Sequence, residues 1–319
     1  MLFVYGVSMI KVDLISGFLG AGKTTFLKKY ARYLINKGEK IGILEYDMGA
    51  LNIDMLLLGE LRGPKCELEM LAAACDKDCL ERRFRTKLIA MAMSGYNRVI
   101  IEPSGVFDMD MFFDSLREEP LENWYEIGSI ITVVSGNLSE DIGRESDYYL
   151  ASQAASAGCV VLSKTQNCSK EEIVATKKHI RKAAEEIKCN KFFENYLDKD
   201  WDALTEEDFA SLESCGYHVN DYVKLIAGSE DTFASVSFLN VDGTLEELKE
   251  KIEVLFNSKE YGNIYRVKGF IAEGQRNYEI NATLEEVKVT DSKVGQGTVI
   301  VIGTNLNEQR IRELILLSQ

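Results

Sequence analysis

Residues 17–24 read Gly17-Phe-Leu-Gly-Ala-Gly-Lys-Thr24, and how this stretch is read decides the fold. The β-branched run Ile10-Lys-Val-Asp-Leu-Ile15 precedes it, and a helix-like stretch from Thr25 to Lys37 follows. A glycine loop between a strand and a helix turns successive N–H groups inward at a helix N-terminus, where they hold α- and β-phosphates. Gly17, Gly20, Ala21, Gly22 and Thr25 form that cradle. Lys23 adds a point charge for the β- and γ-phosphates, and the Thr24 hydroxyl is the expected first ligand of Mg2+. A plain glycine turn would need neither Lys23 nor Thr24.

The bulk composition sets limits on everything else. At roughly 100–200 residues per domain, 319 residues predict about two domains, each with its own core. The 46% hydrophobic and 28% charged content is that of an ordinary globular protein. A formal net charge of −14 repels nucleic acid and anionic membrane and favours cations or basic partners, so a nucleotide must be drawn in by local donors. No apolar run reaches the roughly 18 residues needed to span a bilayer. The apolar leader 1–9 has no basic segment and runs into the first strand, so it is not read as a signal peptide, and Met9 is an alternative start. The 7 cysteines are an odd number spread over the chain, which suits a reducing cytoplasm better than a disulfide scaffold.

Beyond the loop, strands are expected at 40–46, 97–102, 128–134 and 159–163, with helix-like segments at 69–94, 147–157 and 169–188. This alternation predicts an α/β fold: a P-loop NTPase domain whose mostly parallel sheet is covered by helices on both faces. Its expected extent is 1–190. A helical connector follows over 191–232, with a helix-start signature at Thr205-Glu-Glu-Asp-Phe209. From 233 to 319 a smaller α+β domain is expected, with strands at 233–239, 264–273, 277–289 and 298–303 and helices at 245–256 and 308–317. The charged run Glu246-Glu-Leu-Lys-Glu-Lys251 reads as a solvated helix face or a docking surface.

Val99-Ile-Ile-Glu102 ends a buried-type strand in a carboxylate, and Pro103-Ser-Gly105 follows at once. An acid at such a strand end beside a phosphate loop holds Mg2+ directly or through water, and Gly105 offers an N–H to the γ-phosphate. The alternative for Glu102 is a strand-capping acid paired to a surface base. Tyr46-Asp47-Met-Gly49, with Asp54 beyond, closes the second strand where a γ-phosphate-sensing segment belongs. Asp47 is the candidate for positioning water or for outer-shell Mg2+ contact; a solvated turn acid is the alternative.

These residues resemble the CobW-like family of P-loop GTPases. The phosphate loop, Asp47–Gly49 with Asp54, and Glu102-Pro-Ser-Gly-Val-Phe-Asp108 are similar to its first three motifs. Gln153-Ala-Ala-Ser-Ala-Gly-Cys-Val-Val-Leu-Ser-Lys-Thr165 resembles the approach to its base-recognition loop, and Tyr261-Gly-Asn-Ile-Tyr-Arg-Val-Lys-Gly-Phe270 resembles the signature strand of its C-terminal domain. The resemblance implies GTP hydrolysis with Mg2+, coupled to delivery of zinc, cobalt or a metal cofactor to a client protein, including a corrinoid protein on the cobalamin side of the family. It also implies base contacts from Ser163, Lys164 and Gln166. The family's loop usually reads Asn-Lys-x-Asp, whereas this chain has Ser163-Lys-Thr-Gln166. The Gln166 amide oxygen accepts a guanine N–H without the carboxylate's charge.

The family's Cys-x-Cys-Cys is also altered, to Cys75-Asp-Lys-Asp-Cys79 with Cys66 upstream, and Tyr46 stands in place of a switch Asn. On a helix, Cys75 and Cys79 would share a face about 5–6 Å apart, enough for two thiolates on one soft ion. Closing a tetrahedral site needs Cys66, Glu69, Asp76 or Asp78, or else a client or a second subunit in a homodimer. Plain core cysteines are the equal alternative. His179 and His218 read as structural. Two further functions stay open: a nucleotide-gated, low-turnover protein that loads or remodels a partner such as a corrinoid protein, and a P-loop phosphotransferase with Arg82-Arg-Phe-Arg85 as a lid.

Overall fold

The computed structural model describes residues 9–47, 53–72, 77–139, 141–189, 192, 194–223, 233–284, 286–292 and 297–316. They fall into two compact units, one ending near residue 225 and the other running from there to the C-terminus.

In the first unit β1 (Ile10–Gly17) leads through the phosphate loop into α1 (Lys23–Lys37), followed by β2 (Ile41–Asp47), α2 (Ile53–Leu58), β3 (Cys66–Ala72) and α3 (Lys77–Ala92). Then come β4 (Arg98–Glu102), α4 (Met109–Arg117), β5 (Tyr125–Ser135), α5 (Arg144–Ser156), β6 (Cys159–Ser163), α6 (Lys170–Glu186), β7 (Tyr196–Leu197) and α7 (Glu206–Glu213). The 7 strands lie in the order β3-β2-β4-β1-β5-β6-β7, and every pairing is parallel. Strand residues alternate between two cores, as a doubly covered sheet requires. Val12, Val99, Ile101, Val160 and Leu162 pack under α3, α4 and α5. Ile15, Ile100, Val133 and Val161 pack under α1 with Phe26, Leu27 and Leu34.

Two segments differ from the sequence expectation. The helix-like reading of 69–94 takes in the end of a strand: residues 66–72 form β3, paired in register with β2 from Ile41↔Cys66 to Asp47↔Ala72, and the helix begins only at Lys77. Cys-Glu-Leu-Glu alternates with the period of a strand, burying Cys66 and Leu68 in the α1-side core, while Leu71 is buried on the opposite face. The stretch expected as a helical connector contributes β7 to the sheet edge beside β6 and α7 to the α1 face, where Phe209 stacks on Tyr33 with ring centroids 5.4 Å apart.

At the end of the sheet away from the strand C-termini, a buried ionic cluster ties β1, β4, β5, α1 and α7 together. Asp13 of β1, fully buried, accepts from Arg98 at 2.7 Å, Tyr30 at 2.8 Å and the Ser129 N–H at 2.8 Å. Arg98 also donates to Glu39 at 2.9 Å and to Glu213 at 3.1 Å. Burial alone would push Asp13 up and Arg98 down, but Asp13 and Glu39 hold the guanidinium above its usual range.

The second unit is a 5-stranded antiparallel sheet, ordered β11-β10-β9-β12-β8. It is built from β8 (Phe233–Leu239), α8 (Leu245–Asn257), β9 (Asn263–Glu273), β10 (Arg276–Ala282), β11 (Val287–Asp291), β12 (Thr298–Thr304) and α9 (Glu308–Leu316). Leu248, Ile252 and Leu255 of α8 and Ile311 and Ile315 of α9 cover Val267, Ile280, Val299 and Val301. The single strand expected over 277–289 is a hairpin instead, turned where the Thr283 N–H donates to the Glu286 carbonyl at 2.8 Å. On α8, Lys249 pairs with Glu246 at 3.2 Å on an exposed face. Among the described residues no helix is long and apolar enough to cross a membrane.

Candidate functional site

The C-terminal ends of β1, β4 and β6 converge around the loop that opens α1. Gly17 has φ 143° and lies against β5, where a Cβ would come within 2.2 Å of the Val133 carbonyl oxygen, so only glycine fits. Gly22, left-handed at φ 95°, is the cap from which α1 departs. Its N–H row faces the loop, and the Lys23 ammonium, 6% exposed, donates to the Gly17 carbonyl at 3.0 Å. A buried ammonium at the mouth of a glycine loop is placed to meet an anionic acceptor.

Strand β4 delivers Glu102, 3% exposed, and the Thr24 hydroxyl donates to its Oε1 at 2.8 Å. The loop hydroxyl and the strand-end carboxylate, 78 positions apart in sequence, thus form one pair of hard oxygen donors. The chain leaving β4 lies directly on the phosphate loop: a Cβ at Gly105 would come within 2.6 Å of the Leu19 backbone nitrogen. Two residues on, Phe107 meets Tyr46 edge-on with centroids 5.8 Å apart, so the end of β2 packs against the loop after β4. Asp47 ends β2, but its side chain, like that of Asp54, lies outside the described residues.

Strand β6 ends at Ser163, which reaches the same site, its Cβ 3.8 Å from a Cβ placed on Gly22. Lys164 is left-handed at φ 58°, and Gln166 is exposed in the turn that follows. The buried hydroxyls of Ser163 and Thr165 find no hydrogen-bond partner among the described residues. Trp201 was not foreseen from sequence. Its indole N–H donates to the Leu162 carbonyl at 2.9 Å, and its ring lies 3.3 Å from a Cβ at Gly22 and 5.5 Å from Phe26. No local signal reveals this, because every contact is remote in sequence.

Gly17, Gly20, Ala21, Gly22, Lys23, Thr24, Thr25, Glu102, Gly105 and Ser163 therefore surround one end of the sheet. The cysteines do not join them as one set. Cys66 is the first residue of β3, at the opposite end of the sheet, and at about 3.3 Å per residue the 7 residues of β3 hold it roughly 20 Å from the strand end that leads to Cys79. It is 2% exposed in the α1-side core, and burial pushes its thiol up to about 11, so it serves as a small apolar side chain and not as a partner for Cys79. Cys79 is half-buried in the first turn of α3, while Cys75 and Asp76 lie outside the described residues. Among the described residues no group of three metal-ligating side chains is assembled.

Arg85 pairs with Glu118 and also donates to the Glu119 carbonyl at 3.1 Å, on a helix packed by Phe84 and Leu88. His179 meets Asp147 at 2.6 Å and ties α6 to α5.

The chain is similar in sequence to known proteins. Residues 11–191, more than half of the chain, match the family described as CobW/HypB/UreG, nucleotide-binding domain. The chain is 24% identical over 319 residues to the zinc chaperone YjiA of Escherichia coli, covering 95% of this chain and 96% of that protein. It is 24% identical over 186 residues to the zinc-regulated GTPase metalloprotein activator 1 of Schizosaccharomyces pombe, covering 54% of this chain and 43% of that one. The solved Zn(II)-bound YjiA GTPase from E. coli aligns over 98% of this chain and 100% of its own, at 17% identity and a TM-score of 0.38.

Proposed function

Because the chain belongs to the CobW/HypB/UreG nucleotide-binding family through residues 11–191, we propose that it binds GTP with Mg2+ between β1 and α1, hydrolyses it, and couples hydrolysis to delivery of a metal to a client metalloprotein. The observation that carries this reading is the Thr24–Glu102 pair at 2.8 Å, beside a buried Lys23. Two hard oxygens at the mouth of a phosphate cradle fit Mg2+, which takes one or two protein oxygens and completes its shell with phosphate and water. Thr24 and Glu102 would hold the ion, which would supply positive charge to offset the negative charge developing on the phosphates.

The protein's own residues do the rest. Lys23 exchanges the Gly17 carbonyl for the β- and γ-phosphates, the Gly105 N–H faces the γ-phosphate, and Asp47 orients the attacking water. Ser163, Lys164 and Gln166 meet the guanine, with the Gln166 amide oxygen accepting a single ring or exocyclic N–H.

Zinc as cargo is supported by the likeness to a zinc chaperone along nearly the full chain; cobalt, and with it a corrinoid client, rests on the family resemblance alone. Cys79, with Cys75 four positions before it, is the thiolate pair that receives the metal in the cytoplasm, and the client or a second copy of this chain supplies the remaining ligands. Cys66 takes no part.

Phosphate release with GTP and with ATP, each with and without Zn2+ or Co2+, tests the proposal. GTP turnover that responds to the metal is the expected result. Tight nucleotide binding without turnover favours a nucleotide-gated loading protein, and phosphoryl transfer to a small acceptor favours a phosphotransferase.

A further inference from the structure

Gln153 of α5 is fully buried, and its side-chain amide does something the packing does not require. Its Nε2 donates to the Gly105 carbonyl at 3.0 Å, while its Oε1 accepts nothing from the described residues. A half-satisfied buried amide is less stable than an apolar side chain of the same shape. Core packing therefore gives no reason for an amide at this position, whereas a donor to Gly105 does.

The surroundings identify what that donor controls. Gly105 lies on the phosphate loop with no room for a Cβ beside the Leu19 nitrogen. The Gln153 carbonyl accepts from the Thr132 hydroxyl at 3.0 Å, and Thr132 shares a hydrogen bond of 2.7 Å with the hydroxyl of Ser16, the residue that enters the phosphate loop. A single α5 residue is thus bonded to the chain that covers the loop and, through Thr132, to the chain that leads into it. Glycine has no side chain to fix its own torsions, so this contact anchors the carbonyl of the same residue whose N–H is offered to the γ-phosphate and thereby limits its rotation.

We infer that Gln153 is a positioning residue for γ-phosphate recognition: it fixes the Gly105 peptide over the phosphate loop, so that the triphosphate and its hydrolysis, but not the diphosphate, depend on its amide. The inference rests on the nucleotide site proposed above.

The test uses the full-length protein with Gln153→Met, which keeps length and removes the donor, and Gln153→Leu, which removes it with a branched apolar side chain of similar size. Single-turnover phosphate release from GTP with Mg2+ is measured beside affinities for GDP and for a non-hydrolysable GTP analogue. Loss of one buried hydrogen bond at a positioning contact predicts a fall of about tenfold to a hundredfold in the hydrolysis rate and in analogue affinity, with GDP affinity within about twofold of the parent. Equal weakening of GDP and analogue, or a hydrolysis rate equal to the parent's in either folded variant, overturns the inference. If one variant fails to fold, the other gives the same readout. Failure of the unaltered protein to bind either nucleotide is a separate result and refutes the nucleotide site, not the role of Gln153.

Discussion

Gly105→Ala is the substitution whose effect follows most directly from the geometry. Its φ lies outside the left-handed region, so alanine brings no backbone strain, and the whole effect comes from one added methyl. That methyl would sit 2.6 Å from the Leu19 nitrogen and 2.9 Å from Leu19 Cγ, where ordinary contact begins near 3.4 Å. The covering chain and the phosphate loop must therefore separate by nearly an ångström. A displacement of about 1 Å between positioned groups costs roughly a hundredfold in rate, and overpacking of this kind costs about 1–3 kcal/mol of stability. Single-turnover phosphate release should fall by about that hundredfold, with nucleotide affinity lowered less and thermal melting lowered by several degrees. Gly63→Ala is the control, because nothing lies within 4 Å of its added methyl, and it should behave as the parent. A Gly105→Ala protein that hydrolyses at the parental rate would falsify the placement of this chain against the loop.

Arg98→Met leaves Asp13 buried without its cation and should destabilise the first unit by about 3–5 kcal/mol, read as a shift of the urea midpoint; a change under about 1 kcal/mol would mean the pair contributes little. Burial alone would raise Glu213, but Lys37, Tyr33 and Arg98 hold it below its ordinary 4.5, so its stabilising contribution is complete above pH 4.5 and is lost as pH falls through the lower folded value. Gln at 213 should therefore lower melting at neutral pH, with the gap to the parent closing in acid; a gap that widens in acid contradicts the assignment. In alkylation at pH 8 the native Cys66 thiol, pushed up to about 11, should remain unlabelled while Cys79 is modified. Cys75→Ser with Cys79→Ser should weaken Zn2+ binding, and Cys66→Ser should leave it unchanged while lowering stability; the reverse pattern would restore Cys66 as a ligand.

Much of the fold was legible because its signals are local. The glycines and lysine of residues 17–24 demand a strand before them and a helix after them, and both are present. Strand β6 matches its expected span, and α6 starts at the Ser169 capping box with Glu172. Strand β3 was hidden because its alternation is short: Cys66 and Leu68 face one core and Leu71 the other, and the apolar residues that follow continue with helical spacing. That β4 ends in a carboxylate was readable, but its bond to Thr24 was not. Gln153 and Trp201 were invisible as functional residues, since their partners Gly105 and Leu162 lie 48 and 39 positions away and only the folded sheet brings them together. The same holds for Arg98, which gathers acids 85, 59 and 115 positions away.

The proposed function requires that Lys23, Thr24 and Glu102 hold a magnesium triphosphate. Titration calorimetry of GTP into the protein, in Mg2+ and in EDTA, beside Lys23→Ala, measures this directly. The expected result is saturable binding that Mg2+ strengthens and that Lys23→Ala abolishes. Absence of heat at millimolar nucleotide, or undiminished affinity in Lys23→Ala, contradicts it.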